Sequence, residues 1–204
     1  MDSTARTDLG SGFPEFIYRS FKIIKQNDYI HIAFNFSIEG LCDFSPEIRI
    51  DTRGLDIINP CDGDAARGIV FNLGMCEAVS YFKSILPRRV RVMPYSVDSD
   101  SALWWRRLWY NGLGEFFYIN RLSVPFEDFA VIESTGEPVP RGDFAVGDKN
   151  LIPVGGGKDS CVTAALLEDD RARNLFLTIN DQQARSDCIA AAGNGGGEPD
   201  GMEA

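Results

Sequence analysis

The chain has 204 residues, of which 44% are hydrophobic and 25% charged, a composition typical of globular proteins and sufficient for one large domain or two small ones. Its formal net charge of −10 argues against sequence-independent nucleic-acid binding, because such binding needs clustered lysine and arginine to neutralise phosphates. Residues 1–12 lack the apolar core of a secretory signal, and no apolar run approaches membrane-spanning length, so we expect a cytoplasmic protein with neither membrane nor nucleic-acid partners.

The first part of the chain carries three candidate strands after a tail, residues 1–12, that we expect to be disordered. The clearest strand is 29–38, where five large apolar residues alternate with smaller or polar ones, a period of two that predicts one face in a core. Residues 16–23 are a further candidate strand, and 47–51 is a third, in which Ile48 and Ile50 point one way and Arg49 the other. We expect these three strands to form an antiparallel meander, because the connections are too short for crossover helices.

Two helices and one further strand are predicted between residues 71 and 120. Apolar residues recur at three- and four-residue spacing over 71–86, an amphipathic pattern that Pro87 would end. A strand is predicted at 89–93. Four residues offer capping side chains for the next helix, 102–110: Asp98, Ser99, Asp100 and Ser101. A Gly-Leu-Gly sequence breaks this helix before it resumes at 115–120. The tryptophans of this helix are interpreted as core residues, with a ligand platform beside Arg106 and Arg107 as the alternative.

The remaining chain is predicted to hold a connection and the start of a second domain. Prolines and glycines interrupt residues 123–150, where only 129–132 is apolar enough for a strand, and we interpret this segment as a domain connection. Strand, helix, strand and helix at 151–154, 160–169, 175–179 and 182–192 predict a parallel α/β unit.

These elements are too few to bury a parallel sheet on both faces. We therefore expect a truncated chain: an α+β N-terminal domain at 13–122, an incomplete α/β domain at 151–193, and a disordered acidic tail at 194–204.

Cysteine and histidine usage predicts neither a disulfide framework nor a zinc site. The only histidine, His31, falls on a predicted strand and is interpreted as structural, because one histidine cannot build a multi-histidine metal site. The short arginine clusters at 88–91 and 106–107 are interpreted as solvated side chains, with an anionic small molecule as the alternative. The cysteines are odd in number and contain no Cys-x-x-Cys pair, which is typical of reduced thiols; they are Cys42, Cys61, Cys76, Cys161 and Cys188.

The most informative motif is the glycine-rich sequence GGGKDS between the predicted strand 151–154 and the helix after it. Glycines allow a sharp turn and close approach to a ligand, and the first N–H groups of a helix favour an anion such as phosphate. The Walker A pattern fails twice, because Asp159 follows Lys158 and Ile152 stands where its first glycine is required. A glycine turn without a ligand is the simpler alternative.

Read together, the motifs resemble those of a known family. The sequence GGGKDS is similar to the PP-loop of ATP pyrophosphatases, usually Ser-Gly-Gly-x-Asp-Ser, with Gly155 in the place of the serine. Paired with the sequence GLGEFFYIN at 112–120, it resembles the bacterial UDP-N-acetylmuramoyl-L-alanyl-L-glutamate epimerases of peptidoglycan synthesis. The resemblance runs over about residues 13–193 and corresponds to roughly the first half of a family member.

The resemblance implies an ATP-dependent inversion of the substrate's terminal glutamate. The α-proton of a glutamate is barely acidic, because its removal would place a second negative charge beside the carboxylate. Transfer of AMP from ATP to that carboxylate would neutralise it, so that a side-chain base can remove the proton and reprotonation from the other face gives the D-centre. Hydrolysis would release AMP, and Mg²⁺ would bridge the phosphates of ATP.

Residue roles also follow from the resemblance. Gly155, Gly156 and Gly157 would supply backbone N–H groups to the phosphates, and Ser160 a hydroxyl. Lys158 would reach a phosphate or face solvent, and Asp159 would contact Mg²⁺ or order the loop. The base is not identified: Glu115, with Tyr118 one turn away, is a candidate, and a carboxylate that pairs locally after Gly114 is the alternative.

Three other functions remain open at this stage. Another PP-loop adenylating enzyme, such as an amide-forming ligase, would share the ATP site and differ in the acceptor. A tRNA sulfur-transferring enzyme would be expected to have paired cysteines and a basic surface, and the chain has neither. A truncated, non-catalytic remnant would at most bind a partner.

Overall fold

The computed structural model describes residues 15–52, 63–142, 147–180 and 182–192, together with the backbone of residues 200–203. The chain divides into two compact units, neither of which is continuous in sequence. The first unit lies within Met1–Lys22, Ala33–Pro46 and Pro60–Gly142, and the second within Ile23–Ile32, Glu47–Asn59 and Asp143–Ala204. The predicted tail at 1–12 and Cys61 lie outside the described residues. The predicted domain boundaries stay a prediction.

The described residues form a mixed α/β structure, consistent with the predicted α+β N-terminal domain. The strands are β1 Phe16–Lys25, β2 Tyr29–Ile38, β3 Cys42–Phe44, β4 Glu47–Asp51, β5 Arg89–Val92, β6 Val131–Ser134, β7 Asn150–Pro153, β8 Asn174–Ile179 and β9 Asp200–Glu203. The α-helices are α1 Asp64–Phe82, α2 Ser99–Gly112, α3 Gly114–Ile119, α4 Lys158–Leu166 and α5 Gln183–Ala191. None of the helices in the described ranges is long and apolar enough to cross a membrane.

Strands of the first unit lie in the order β6-β5-β1-β2, with β3 paired to β2. The alternation predicted for β2 is confirmed, because Ile30, Ile32, Phe34, Phe36 and Ile38 are all at most 6% exposed. The predicted strands 16–23, 29–38 and 47–51 are neighbours in the order β1-β2-β4. The predicted strand at 89–93 is β5, which pairs in parallel with β1 and with β6.

Helix α1 supplies the other half of the first unit's core. Phe71, Met75, Ala78 and Phe82 are fully buried, as the three- and four-residue spacing predicts. The helix begins at Asp64 and ends at Phe82, so Ile85 and Leu86 lie beyond it, contrary to the predicted end at Pro87. Leu86, the residue before Pro87, adopts a φ of 47°, so the chain has left the right-handed helical region at this point.

The predicted break between α2 and α3 is confirmed. The Asp98 side chain accepts a hydrogen bond of 2.7 Å from the backbone N–H of Ser101 and so caps α2. The helix ends at Gly112, and α3 begins at Gly114. Trp105 and Trp109 are buried, and the Trp109 indole donates to the carbonyl of Met75 in α1, which agrees with the core interpretation; Trp104 is 55% exposed.

Residues 123–142, interpreted as part of a connection, contribute to the first unit. Phe126–Asp128 forms a 3₁₀ turn, Phe129 and Ala130 are buried, and β6 pairs in parallel with β5. The apolar run at 129–132 therefore does mark a docked strand, although that strand extends two residues further to Ser134.

In the second unit the predicted succession of strand, helix, strand and helix is confirmed. Strand β7 pairs in parallel with β8, with Ile152 opposite Phe176. Ile152, Val154, Cys188 and Ile189 form a small core, with Leu167 and Phe176 packed against it. Helix α4 is shorter than predicted, because the chain tightens into a 3₁₀ helix at Glu168–Arg173.

The structure differs from prediction within the acidic tail, 194–204. Asp200–Glu203 is the strand β9, which pairs in parallel with β8 and antiparallel with β4. Composition could not reveal this strand, because the hydrogen bonds of a strand come from the backbone and depend on free edges supplied by distant segments.

Candidate functional site

The glycine-rich loop joins the carboxyl end of β7 to the first turn of α4, as predicted. The N–H of Val154 donates to the carbonyl of Leu177 at 2.8 Å, which keeps the two parallel strands together up to the start of the loop. Gly156 then takes a φ of 80°, a conformation that favours glycine. The loop therefore lies at the edge of a parallel sheet where α/β proteins bind ligands.

Gly156 is also the loop residue that contacts α5. A Cβ at this position would lie 3.2 Å from the Cβ of Ala184 and 3.2 Å from the backbone nitrogen of Arg185. Such contacts are tighter than ordinary van der Waals separation, so both the backbone angle and the packing favour glycine here. By contrast, a Cβ on Gly155 or Gly157 would meet no atom within 4 Å, and these two glycines border open space.

The start of α4 has the donor groups of an anion site. Its N-cap is Gly157, and no side chain caps the helix, so the first N–H groups have no side-chain acceptor at the cap. Lys158 and Asp159 are exposed, which puts a cation in the first turn. Free N–H groups, the positive end of the helix dipole and a lysine together suit a phosphate.

Ser160 holds the loop closed on itself. Its Oγ accepts a 3.0 Å hydrogen bond from the N–H of Gly155, five residues earlier. A hydroxyl that accepts from the backbone keeps its own proton available for a second acceptor. The hydrogen bond from Gly155 is therefore compatible with the predicted role of Ser160 as a phosphate donor, which stays a prediction.

Asp159 is the only carboxylate in the first turn of α4. Within the described ranges, no three His, Cys, Asp or Glu side chains come together in a group that would hold a metal ion. Mg²⁺ is usually held by one or two carboxylates together with substrate phosphates, so a single aspartate beside a phosphate loop fits that ion.

Arg185 is a residue of this site that the sequence analysis missed. It lies in the first turns of α5, where its guanidinium donates to the carbonyl of Asn180, at 2.5 Å, and to that of Ile179 at the end of β8. Asn180 has a φ of 60°, a left-handed conformation that asparagine adopts more readily than most residues, and the arginine donates to the carbonyls on this turn. Only the position of Arg185 could have indicated this role. Helix α5 begins just after the parallel strand β8, so its first residues lie at the same sheet edge as the glycine loop.

Glu115 and Tyr118 belong to the first unit, whereas the loop belongs to the second. Glu115 lies in the first turn of α3, where a carboxylate is favourable to the helix dipole. Both side chains are exposed, and Tyr118 is 85% exposed. The assignment of Glu115 as a base stays a prediction.

Most of the arginines considered for an anionic ligand have partners within the first unit. Arg88 pairs with Asp128, Arg89 with Glu133 and Arg91 with Glu15. Arg106 donates to three backbone carbonyls around the 3₁₀ turn, those of Phe126, Glu127 and Phe129. These contacts favour a structural role. His31 likewise pairs with Glu47 at 3.1 Å, in agreement with its structural interpretation.

Two cysteines that are distant in sequence meet in the second unit. The Sγ atoms of Cys161, in α4, and Cys188, in α5, lie 2.9 Å apart. The pKa of Cys188 is raised to about 11. The main cause is the hydrogen bond between Cys188 and Cys161, followed by burial and by the charge of Cys161. The two positions are 27 residues apart and form no Cys-x-x-Cys pattern, so spacing alone could not predict that their thiols meet.

Comparison with known proteins matches this chain to one family. The sequence model of the MurL N-terminal domain matches residues 9–196. A UDP-N-acetyl-alpha-D-muramoyl-L-alanyl-L-glutamate epimerase from Xanthomonas oryzae pv. oryzae (strain MAFF 311018) is 33% identical over 122 residues. That alignment covers 59% of this chain and 27% of the relative, so the chain matches about a quarter of the relative's length. No solved structure matches the chain.

Proposed function

The chain belongs to the MurL N-terminal domain family, and from this we propose that it takes part in an ATP-dependent epimerisation in peptidoglycan synthesis. The substrate would be UDP-N-acetylmuramoyl-L-alanyl-L-glutamate, whose terminal L-glutamate is converted to D-glutamate. The observation that carries the proposal is the glycine loop at the start of α4, together with a relative whose name states this epimerase activity.

The loop would bind the phosphates of the substrate ATP. Gly157 and the residues after it would direct backbone N–H groups at the phosphates, and Lys158 would add a positive charge. Ser160, whose Oγ already accepts from Gly155, would donate its proton to a phosphate oxygen. Asp159 would hold Mg²⁺, which would supply charge neutralisation between the phosphates when bound.

The ATP is needed because the glutamate carboxylate opposes loss of the α-proton. Adenylation removes its negative charge, so a base then needs to overcome a much smaller electrostatic cost. Glu115 is proposed as a candidate for that base. Its exposure leaves it free to meet a substrate, and its test is whether inversion, rather than AMP release, is lost in Glu115→Gln.

The decisive assay combines the chain with ATP, Mg²⁺ and UDP-N-acetylmuramoyl-L-alanyl-L-glutamate. AMP is quantified, and the glutamate released by hydrolysis is analysed on a chiral column. We expect AMP and D-glutamate, both lost in Asp159→Ala and both retained in the matched control Asp169→Ala, whose aspartate is exposed in the 3₁₀ helix after α4.

Other outcomes would distinguish the alternatives. AMP without inversion would support another PP-loop adenylating enzyme, such as an amide-forming ligase. If neither product appears, the assay is repeated on a chain extended past residue 204, because this chain matches only part of its relative. Failure of that longer chain would contradict the proposal, whereas success would identify the present chain as a non-catalytic part.

Nucleotide binding can be tested separately from catalysis. Gly156→Ala introduces a Cβ into a backbone with φ of 80° and against Ala184, so we expect ATP affinity to fall at least about tenfold. Gly147→Ala is the matched control in the same unit, because a Cβ there would meet no atom within 4 Å. Equal ATP affinity in the two variants would argue against this loop as the phosphate site.

A further inference from the structure

Cys161 and Cys188 are the closest pair of thiols in the described part of the chain. They are 27 residues apart in sequence, yet their sulfur atoms are separated by 2.9 Å. Cys161 is exposed on α4, directly after Ser160 of the glycine loop, and Cys188 is 7% exposed on α5. Neither cysteine has a place in the proposed epimerase chemistry.

The two sulfurs are close enough to bond with little movement. A disulfide bond is about 2.05 Å long, so the separation has to shorten by about 0.9 Å. A cavity of about 150 Å³ opens at the pair, lined also by Glu168 and Arg171 and by alanines of both helices. A small oxidant can therefore reach the exposed thiol.

We propose that Cys161 and Cys188 form a reversible disulfide, which makes this helix pair an oxidation site of the protein. The oxidant class is a peroxide. The Cys161 thiol releases its proton, and the thiolate sulfur attacks one peroxide oxygen. The O–O bond breaks, and the leaving hydroxide takes up that proton, so the products are a sulfenic acid and one water. The Cys188 sulfur then displaces the hydroxyl of the sulfenic acid, giving the S–S bond and a second water. The two thiols lose two electrons in total, and the peroxide gains them.

The disulfide would join the two helices that border the glycine loop. Cys161 follows the loop directly, and α5 contacts Gly156 through Ala184. The disulfide would close a covalent loop that includes the 3₁₀ helix and β8. This loop lowers the conformational entropy of the unfolded chain, which makes unfolding less favourable. The oxidised protein is therefore expected to unfold at a higher temperature than the reduced protein.

The test uses the whole chain, treated with hydrogen peroxide, alkylated and digested with trypsin. The two cysteines fall on separate peptides, 159–171 and 186–204, so the bond appears in mass spectrometry as one linked species that dithiothreitol separates. We expect this link to form at least about tenfold faster than any link involving Cys42 or Cys76, which are exposed.

The same reaction in concentrated urea shows whether the fold is responsible. Loss of the preference for the 161–188 link in urea supports the proposal, and an equal preference in urea overturns it. Retention of alkylatable thiols at both positions, at peroxide concentrations that oxidise Cys42, also overturns it. These measurements use the unsubstituted chain, so they stay informative even where a cysteine variant fails to fold.

The stabilising effect is tested with matched variants. Cys42→Ser keeps the pair, and peroxide is expected to raise its midpoint of thermal unfolding as it does for the unsubstituted chain. Cys161→Ser removes the exposed member of the pair, and its midpoint is expected not to rise. A rise of equal size in Cys161→Ser would contradict the assignment.

Discussion

Gly74 and Tyr18 fit against each other without room for one more carbon atom: a Cβ at Gly74 would lie 2.1 Å from Tyr18 Oη. The same Cβ would lie 2.8 Å from Cε1 of Phe34. A helix normally gains stability from alanine in place of glycine, so a glycine in the middle of α1 carries a cost of about 1 kcal/mol. Its presence reflects the aromatic side chains that pack directly on the helix backbone.

Gly74→Ala is therefore expected to destabilise the protein by about 1–3 kcal/mol in urea unfolding, because overpacking of the core outweighs the gain in helix propensity. Gly112→Ala is the control, since a Cβ at that exposed position meets no atom within 4 Å and the change should be neutral or favourable. A Gly74→Ala variant as stable as the parent would disprove this packing account.

Tyr18→Phe is expected to reduce the decrease in the free energy of unfolding that occurs at alkaline pH. Burial, with a smaller effect from Tyr95, raises the pKa of Tyr18 well above its ordinary value of 10.0. The unfolded chain loses this proton above about pH 10 while the folded chain keeps it, so the contribution is complete below that pH and is lost as pH rises further. The difference between parent and variant, measured by urea unfolding at pH 8 and pH 11, isolates this residue.

The same variant should be no less stable than the parent at neutral pH. The Tyr18 hydroxyl is buried and has no hydrogen-bond partner among the described residues, and removing such a group costs nothing in lost bonds. Tyr118→Phe, at an 85% exposed position, is the control and should leave the pH dependence of stability unchanged. Identical pH profiles for Tyr18→Phe and the parent would contradict the assignment.

Arg91→Met is expected to destabilise the protein by about 3 kcal/mol, because it leaves a buried carboxylate without its cation. Glu15 is 4% exposed, and one of its oxygens already lacks a hydrogen-bond partner among the described residues. Arg89→Met is a close control two residues away on the same strand, since Arg89 and Glu133 are both more than half exposed and their pair should contribute about 1 kcal/mol or less.

Chemical denaturation of both variants, and of Arg91→Met combined with Glu15→Gln, provides the measurement. The neutral amide in the double variant removes the uncompensated charge, so part of the lost stability should return. Equal costs for Arg89→Met and Arg91→Met would show that burial of Glu15 does not govern the pair.

Arg106→Lys is expected to cost about 1–3 kcal/mol although it keeps the positive charge. The guanidinium donates hydrogen bonds to three carbonyls in and just after the 3₁₀ turn, and its carbon lies 4.3 Å from the centre of the Phe126 ring. A single ammonium group cannot reproduce this set of contacts. Arg107→Lys, at the next and exposed position, should stay within about 0.5 kcal/mol of the parent. Thermal unfolding of the two variants is a direct comparison.

Short-range patterns in the sequence were sufficient to predict the elements that are specified by residues close together in sequence. The period of two in β2, a cap for α2 among residues 98–101 and the strand–glycine–helix order at 151–167 all depend on residues a few positions apart. The sequences GGGKDS and GLGEFFYIN are likewise short and contiguous, and together they identified the family that the comparison confirms.

Features that depend on distant segments could not be predicted in this way. Strand β9 exists because β4 and β8 both offer edges to it, and the thiol pair exists because α5 packs beside α4. The Arg185 contacts depend on how the chain turns at Asn180 after β8. Nothing in the local composition of these segments specifies such partners, since each is fixed by the positions of elements elsewhere in the fold.

The discontinuous units have a consequence for how the chain acquires its structure during synthesis. Strands β1 and β2 each pass from one unit to the other, so residues 23–32 and 47–52 must await residues 147–192 before the second unit can form. Contacts between such remote segments slow folding, because loop-closure entropy is lost before they form. A nick between residues 142 and 147 would likewise leave strand segments of the second unit on the N-terminal piece, and would not yield two independently folding halves.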